Sequence, residues 1–136
     1  MTDSDADRSL VDAWRDLLAR HASVSSALER ELQARHGIGV SEFEALERLA
    51  TGGKDKYRSQ ELTESLPLSQ SAASRLVARL EREGLVSRAI CDLDRRGVFV
   101  CLTDAGRQRY EAARPTQRAV LAATLRPAPS AASPSG

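Results

Sequence analysis

The hydrophobic positions of the chain follow a helical period over most of its length. Between about residues 9 and 35 they recur every three or four residues, which places them on one stripe of a long helix. The stripe consists of Leu10, Trp14, Leu17, Leu18, His21, Val24, Leu28 and Leu32. Gly37 follows the stripe and can take the left-handed conformation past a helix end. A small domain cannot cover a helix this long, so the pattern predicts that part of it contacts a second subunit.

A second helix is predicted to begin at a capping box. The Ser41 hydroxyl can accept from the backbone amide three residues on, while Glu44 can reach back to the amide of Ser41. Its buried side would consist of Phe43, Leu46 and Leu49, and the glycine pair at 52–53 would end it. Residues 54–58 are read as a polar loop in which only Tyr57 packs inward.

Two further helices joined by a short turn follow. Ser59 is expected to cap a short helix that buries Leu62 and Leu66. Pro67 ends that helix, because proline lacks the amide that a continuing helix needs. Ser69 then caps a fourth helix, whose buried face contains Ala73, Leu76, Val77 and Leu80. Two helices joined in this way, the second strongly amphipathic, form a helix-turn-helix.

The exposed face of the fourth helix is short-chained, polar and basic. It contains Ser71, Arg75, Ala78 and Arg82, flanked by Gln70, Ser74 and Arg79. An ordinary surface helix would explain this face equally well if the helix stood alone. Serines are poor helix formers, however, and polar residues in the first two turns occupy the positions from which recognition helices present side chains to base edges.

Two short β-rich runs after Gly84 strengthen the nucleic-acid interpretation. Residues 85–90 and 98–102 are expected to pair as an antiparallel hairpin. The loop between them carries Asp92, Asp94, Arg95, Arg96 and Gly97. A guanidinium on a narrow β tip can enter a minor groove, where groove width and negative potential are read. Solvated turn charge is the alternative interpretation, which the helix-turn-helix immediately upstream disfavours.

Three ordered motifs closely resemble the MarR family of bacterial winged-helix regulators. They are residues 68–86 (LSQSAASRLVARLEREGLV), 91–98 (CDLDRRGV) and 102–107 (LTDAGR). The likeness extends over about residues 8–125. It implies a winged helix-turn-helix with flanking dimerisation helices, mainly α with a small β-hairpin wing. It also implies a homodimer that binds double-stranded DNA at a pseudo-palindromic operator, with repression as the default output.

The same resemblance assigns roles to individual residues. The family's Asp-x-Arg pair falls on Asp94 and Arg96, so Arg96 would enter the minor groove, Asp94 would orient it, and Arg95 would contact a phosphate. Gln70 could pair with adenine and Arg75 with guanine, and which of the two reaches a base rather than a phosphate stays open. Major-groove contacts would fall to Ser69, Gln70, Ser71, Ser74 and Arg75, with Arg79 nearer the DNA backbone.

The resemblance also implies a ligand switch, because family members often hold a small aromatic effector or a reactive cysteine. Trp14, His21 and Phe43 could line an effector pocket, although each sits on an apolar face and fits the hydrophobic core better. The first helix contains no cysteine, so peroxide sensing by a first-helix thiol is not expected. No cofactor is expected, and the two histidines lack the neighbours of a zinc site.

A fifth helix is predicted from a Thr103 cap through Tyr110 and, after a kink at Pro115, to Leu125. Residues 126–136 are too poor in large apolar side chains to fold, so they are expected to be a disordered tail. Family members usually add a sixth helix, which would be absent here. The expected organisation is a flexible N-terminus at 1–8 and one domain at 9–125. Within that domain, 9–35 and 103–125 are dimerisation helices and 41–102 is the winged helix-turn-helix.

Composition limits these interpretations. With 136 residues, 41% of them hydrophobic, the chain suits one domain. Its formal net charge is only +1, so any nucleic-acid surface must be local. No segment resembles a membrane span or a signal peptide, so a cytoplasmic protein is expected. Cys91 and Cys101 are accordingly expected to be reduced thiols rather than a disulfide.

An enzyme is not expected, because the sequence contains no glycine-rich phosphate loop and no recognisable nucleophile motif. The alternative function is a winged-helix module that binds protein instead of DNA, since a fold does not fix a function. An exposed apolar recognition face would favour that alternative, and the face of the fourth helix is polar and basic instead.

Overall fold

The structure is a computed structural model, and it describes residues 4–53, 56–90 and 98–125. Within these ranges it contains five helices and three strands, which confirms the mainly α class with a small β-sheet. In chain order they are α1 Asp5–His36, α2 Val40–Thr51, β1 Lys56–Arg58, α3 Ser59–Ser65, α4 Gln70–Arg82, β2 Val86–Ile90, β3 Val98–Leu102 and α5 Asp104–Leu125. None of the described helices is long and apolar enough to cross a membrane.

The hydrophobic core lies where α2, α3 and α4 meet the sheet and the adjoining halves of α1 and α5. Phe43 of α2 is fully buried, and its ring lies 5.5 Å from the ring of Tyr110 of α5. The predicted apolar faces of the shorter helices are confirmed. Their buried members include Leu46, Leu49, Leu62, Leu66, Ala73, Leu76, Val77 and Leu80.

Helix α1 begins four residues earlier than predicted and is only half covered. The Ser4 side chain accepts from the Asp7 amide at 3.1 Å and caps the helix, so residues 5–8 are helical rather than flexible. Of the predicted stripe, only Val24, Leu28 and Leu32 are buried. The first half of the stripe is exposed: Leu10 (69%), Trp14 (58%), Leu17 (60%) and Leu18 (47%). The domain therefore leaves a large part of the helix uncovered, as its length predicts.

The start of α2 differs from the predicted capping box. The N-cap is Gly39, whose amide donates to Glu42 Oε1 at 3.1 Å, and Ser41 lies inside the helix. The next amide, that of Val40, donates to Glu29 Oε1 of α1 at 3.1 Å. A Cβ on Gly39 would lie 2.7 Å from the Glu29 carboxylate, so the glycine makes room for a cap supplied by another helix. The assignment of Ser41 as the cap is therefore wrong, because Glu42 satisfies the Gly39 amide and a tertiary contact with Glu29 satisfies the Val40 amide.

The predicted polar loop at 54–58 is wrong for its last three residues, which form the strand β1. The sheet order is β1-β3-β2, and both pairings are antiparallel. Tyr57 lies opposite Val100 and packs against the core, while Arg58 lies opposite Phe99. Arg58 is also the N-cap of α3, so Ser59 is the first residue of that helix and not its cap.

The two strands predicted to form a hairpin are confirmed as neighbours in the sheet. Val86 pairs with Leu102 and Ser87 with Cys101. Cys101 is a half-buried free thiol. Cys91 and the predicted hairpin tip lie outside the described residues.

Helix α5 runs as one element through Pro115 and joins the sheet end of the domain to α1. The predicted Thr103 cap is confirmed, since its hydroxyl accepts from the Gly106 amide at 3.0 Å and donates to the Gly84 carbonyl at 2.7 Å. Farther along, Thr116 Oγ1 lies 2.7 Å from His36 Nε2. At the far end, Arg20 of α1 donates to the Leu125 carbonyl at 2.9 Å. The predicted tail at 126–136 lies outside the described residues.

A polar cluster connects α5 to α2 beside the core. The Tyr110 hydroxyl donates to Glu47 Oε2 at 2.8 Å, and Arg118 Nη1 lies 2.7 Å from the same oxygen. Burial and the bond to Glu47 raise the pKa of Tyr110, and the bond to Glu47 raises the pKa of Arg118. Burial and the Glu47 charge likewise raise the pKa of Glu44. One carboxylate of α2 thus holds two side chains of α5 beside the core.

Candidate nucleic-acid interface

Local and tertiary contacts fix the position of α4. Its N-terminus is capped as predicted, because the Ser69 hydroxyl accepts from the Ala72 amide at 3.2 Å. Behind it, Leu80 is fully buried and its carbonyl accepts from the Leu85 amide at 2.9 Å. Gly84 makes this reversal with a φ of 76°, a conformation that favours glycine. The helix is therefore anchored at both ends and along its buried face.

The exposed face of α4 divides into three strips, because each residue advances by about 100° around a helix. One edge carries Gln70 and Ser74, the middle carries Ser71 and Arg82, and the other edge carries Arg75 and Arg79. All six predicted major-groove residues are exposed: Ser69, Gln70, Ser71, Ser74, Arg75 and Arg79. The chain thus presents hydroxyl, amide and guanidinium groups together on one anchored helix, which suits direct readout of base edges.

A buried carboxylate stands behind one edge of this face. Glu42 of α2 is only 4% exposed, and its Oε1 lies 3.8 Å from Arg79 Nη1. Its other oxygen has no hydrogen-bond partner among the described residues. Burial raises the pKa of Glu42, the Gly39 amide opposes that shift, and the nearby Glu83 charge adds to it. Glu42 therefore joins the α2 N-terminus to an arginine at the basic edge of α4.

On the opposite edge of α4 lies an open groove of about 340 Å³ between α3, α4 and the sheet. We call it the wing-base groove, because β2 and β3 form one of its walls. Its lining includes Arg58, Ser59, Thr63, Gln70, Ser74 and Arg88. Of these, only Gln70 and Ser74 were predicted from the sequence as site residues. For the other groove residues, the sequence offered one indication of a binding site, the basic Arg58 next to a predicted helix start.

The structure brings some of the predicted site residues together and not others. Asp94, Arg95 and Arg96 of the predicted wing lie outside the described residues. For the predicted effector pocket, Phe43 lies fully buried in the core, whereas Trp14 and His21 are exposed on the free half of α1. A single chain therefore does not gather the three around one cavity. In the described part of the chain, no group of three or more His, Cys, Asp or Glu side chains could hold a metal ion.

A helix-turn-helix whose second helix leads into two antiparallel strands defines a winged helix-turn-helix protein. The model of the MarR family matches residues 36–97, which contain α2 to α4, β2 and the segment after it. Together with the solved structures below, this match shows that the chain is similar to the MarR family in both sequence and fold.

Three relatives show the same similarity. A MarR family regulator from Streptomyces coelicolor, Sco3205, solved in complex with DNA, has 28% identity and a TM-score of 0.82, covering 97% of this chain and 82% of that one. AbsC, a MarR family regulator from the same organism, has 28% identity and a TM-score of 0.80, and the match covers 92% of this chain and 82% of AbsC. The uncharacterised HTH-type transcriptional regulator YdgJ of Bacillus subtilis is 29% identical over 99 residues. That alignment covers 73% of this chain and 59% of YdgJ, less than two thirds of its length.

Proposed function

We propose that this protein is a sequence-specific DNA-binding transcriptional regulator that inserts α4 into a major groove. The observation that carries the proposal is the exposed face of α4, which holds serine, glutamine and arginine side chains on a helix fixed to the core at both ends. The solved DNA complex of the Sco3205 relative supports it. The net charge of +1 is compatible with this function, because a nucleic-acid surface need only be basic locally, and Arg75, Arg79 and Arg82 are exposed together on α4.

We assign the base contacts to the exposed face of α4, with Gln70 on one edge and Arg75 on the other as the two bidentate candidates. Arg96 would enter the adjacent minor groove, with Asp94 orienting it and Arg95 on a phosphate, as the family resemblance implies. No chemical reaction is part of the proposal. The chain would act in the cytoplasm, where bacterial chromosomal DNA is accessible.

The second copy of the chain is proposed to cover the free half of α1. Leu10, Trp14, Leu17 and Leu18 form an apolar surface there, and the bond from Arg20 to the Leu125 carbonyl brings the exposed end of α5 beside it. An apolar surface of this kind marks an interface more often than a solvated face. Two copies related by a two-fold axis would place two α4 helices on successive turns of a pseudo-palindromic operator.

We further propose that the bound dimer represses by covering a promoter and that a small aromatic effector releases it. The support for the effector is the family resemblance, with Trp14, His21 and Phe43 as the residues first assigned to it. A thermal-shift screen with phenolic and antibiotic-like compounds tests this part. A compound that raises the melting temperature and lowers DNA affinity is the expected result. A compound that binds without changing DNA affinity would contradict the switch.

Mobility-shift assays with the DNA flanking the gene test the main proposal. The unaltered chain should retain a flanking fragment in the presence of excess scrambled DNA. Arg75→Ala should cost about 1 to 3 kcal/mol of discrimination. Arg96→Ala should weaken binding to all sequences and flatten its salt dependence. Arg35→Gln, an exposed arginine on α1, is the control and should bind normally. Failure to retain any duplex would favour the alternative of a protein-binding winged helix.

A further inference from the structure

The wing-base groove gathers positive charge from two parts of the chain that are distant in sequence. Arg58 enters it from the end of β1, and Arg88 enters it from β2 on the far side of the central strand. Among the described residues that line the groove, two are arginines and none is an acid. Ser59, Thr63 and Ser74 add hydroxyl groups to the lining. A concave surface of guanidinium and hydroxyl donors suits an anionic oxygen group.

Both guanidinium groups are held by a neighbour. Arg88 Nε lies 3.0 Å from Glu81 Oε1 of α4, so its side chain is fixed toward the helix. The Arg58 guanidinium lies 5.8 Å from the ring centroid of Phe99, the residue opposite it in the sheet. Side chains restrained in this way lose less conformational entropy when they bind. The groove is therefore a preorganised set of donors.

The position of the groove identifies the anion. Its α4 wall is the Gln70 and Ser74 edge of the proposed major-groove helix, and its other wall is the base of the strands that lead to the wing. When a helix occupies a major groove and a wing the adjacent minor groove, the sugar-phosphate backbone between the two grooves passes over the surface that joins helix and wing. That surface is the wing-base groove.

We propose that Arg58 and Arg88 together hold a phosphate of the DNA strand that separates the two grooves. This contact rests on the proposed function and adds two residues to it. It reads no sequence, since phosphate contacts fix the register of the protein on the duplex. Arg58 and Arg88 would set how deeply α4 enters the major groove and where the wing meets the minor groove.

Salt-dependent titrations test the contact, using fluorescence anisotropy with a labelled duplex from upstream of the gene and a scrambled duplex of equal length. Arg58→Gln and Arg88→Gln should each lower affinity about tenfold on both duplexes. Each should also reduce the slope of log K against log salt by about 0.9 per bound copy. Arg88→Lys keeps the charge and should keep the slope.

Arg35→Gln is the matched control, because Arg35 is paired with Glu31 at the same 3.0 Å that separates Arg88 from Glu81. It should leave affinity and slope unchanged. Slopes of Arg58→Gln and Arg88→Gln equal to that of the unaltered chain would overturn the phosphate contact and leave the proposed function standing. The phosphate contact would also be overturned if Arg88→Lys reduced the salt slope as much as Arg88→Gln does. The loss of slope would then result from altered packing and not from the missing charge. An unaltered chain that binds neither duplex would overturn both proposals.

Discussion

Replacing Gly106 with alanine should destabilise the protein, although alanine is the better helix former. Gly106 lies in the first turn of α5, where the helix passes over the turn between α4 and β2. A Cβ at this position would stand 2.0 Å from the Leu85 carbonyl oxygen and 2.8 Å from Leu102 Cδ1. The Leu85 carbonyl cannot withdraw freely, because it accepts from the Thr103 amide at 3.1 Å. The added methyl group must therefore displace the whole start of α5.

The magnitude follows from three contributions. Overpacking costs about 1 to 3 kcal/mol, and loss of the Thr103 hydrogen bond costs about 1 kcal/mol more. The higher helix propensity of alanine offsets at most about 1 kcal/mol of this loss, because alanine stabilises a helix interior by about that amount relative to glycine. Gly106→Ala should thus lower the free energy of unfolding by about 1 to 3 kcal/mol.

Urea unfolding followed by circular dichroism measures the change. Ala105→Gly is the control, because Ala105 is exposed in the same helical turn and reports propensity alone. It should destabilise by no more than about 1 kcal/mol. A Gly106→Ala variant as stable as the unaltered chain, or more stable, would refute the close approach of α5 to the α4–β2 turn.

Three further predictions concern buried polar groups and the apolar half of α1. Because the pKa of Glu42 is raised in the folded state, its stabilising contribution is complete below its ordinary pKa and is lost as pH rises through the raised value. Glu42→Gln keeps an acceptor for the Gly39 amide but has no ionisable group at this position. Its free energy of unfolding relative to that of the unaltered chain should therefore rise between pH 4.5 and pH 7 in urea titrations, and a fall would contradict the burial effect. Tyr110→Phe removes the bond to Glu47 and should cost about 1 kcal/mol in thermal unfolding, and an unchanged midpoint would show that this bond contributes nothing. Leu17→Lys should leave the fold intact, because Leu17 is 60% exposed in one chain, and should shift light scattering from dimer toward monomer; an unchanged dimer mass would contradict the proposed interface.

Elements whose causes are local could be predicted from the sequence. The buried face of α4 follows from the spacing of Ala73, Leu76 and Leu80, and its Ser69 cap needs only the amide three residues away. The two β-rich runs were predicted for the same reason, since their composition and the Gly84 turn are local signals. Local signals thus located the helix-turn-helix and the strands that follow it.

Features that depend on distant partners could not be predicted in this way. The cap of α2 involves Glu29 of α1, so the local signal at Ser41 was misleading. Strand β1 forms because it pairs with β3. A run of three residues is too short for its sequence pattern to predict a strand. Likewise, the apolar stripe of α1 indicates which face is hydrophobic but not what covers Leu10 or Trp14.

The residues of the candidate site likewise divide into those that local patterns predict and those that depend on distant partners. Residues on α4 could be assigned from helix geometry, because their exposure follows from the buried face. Arg58 and Arg88 could not, since only the sheet order β1-β3-β2 brings them to one groove. Glu42 was also missed, because its burial beside Arg79 results from the packing of α2 against α4.

The most direct test of the account is an anisotropy titration of the full chain on a duplex from its own upstream region and on a scrambled duplex. We expect specific binding at least about 10³-fold tighter than binding to the scrambled duplex, with two chains per site. Arg75→Ala should reduce that difference by about 1 to 3 kcal/mol for each bound chain while leaving the weaker binding in place. Equal affinity for the two duplexes, or a preference that survives undiminished in Arg75→Ala and Gln70→Ala, would contradict the claim that α4 reads the sequence.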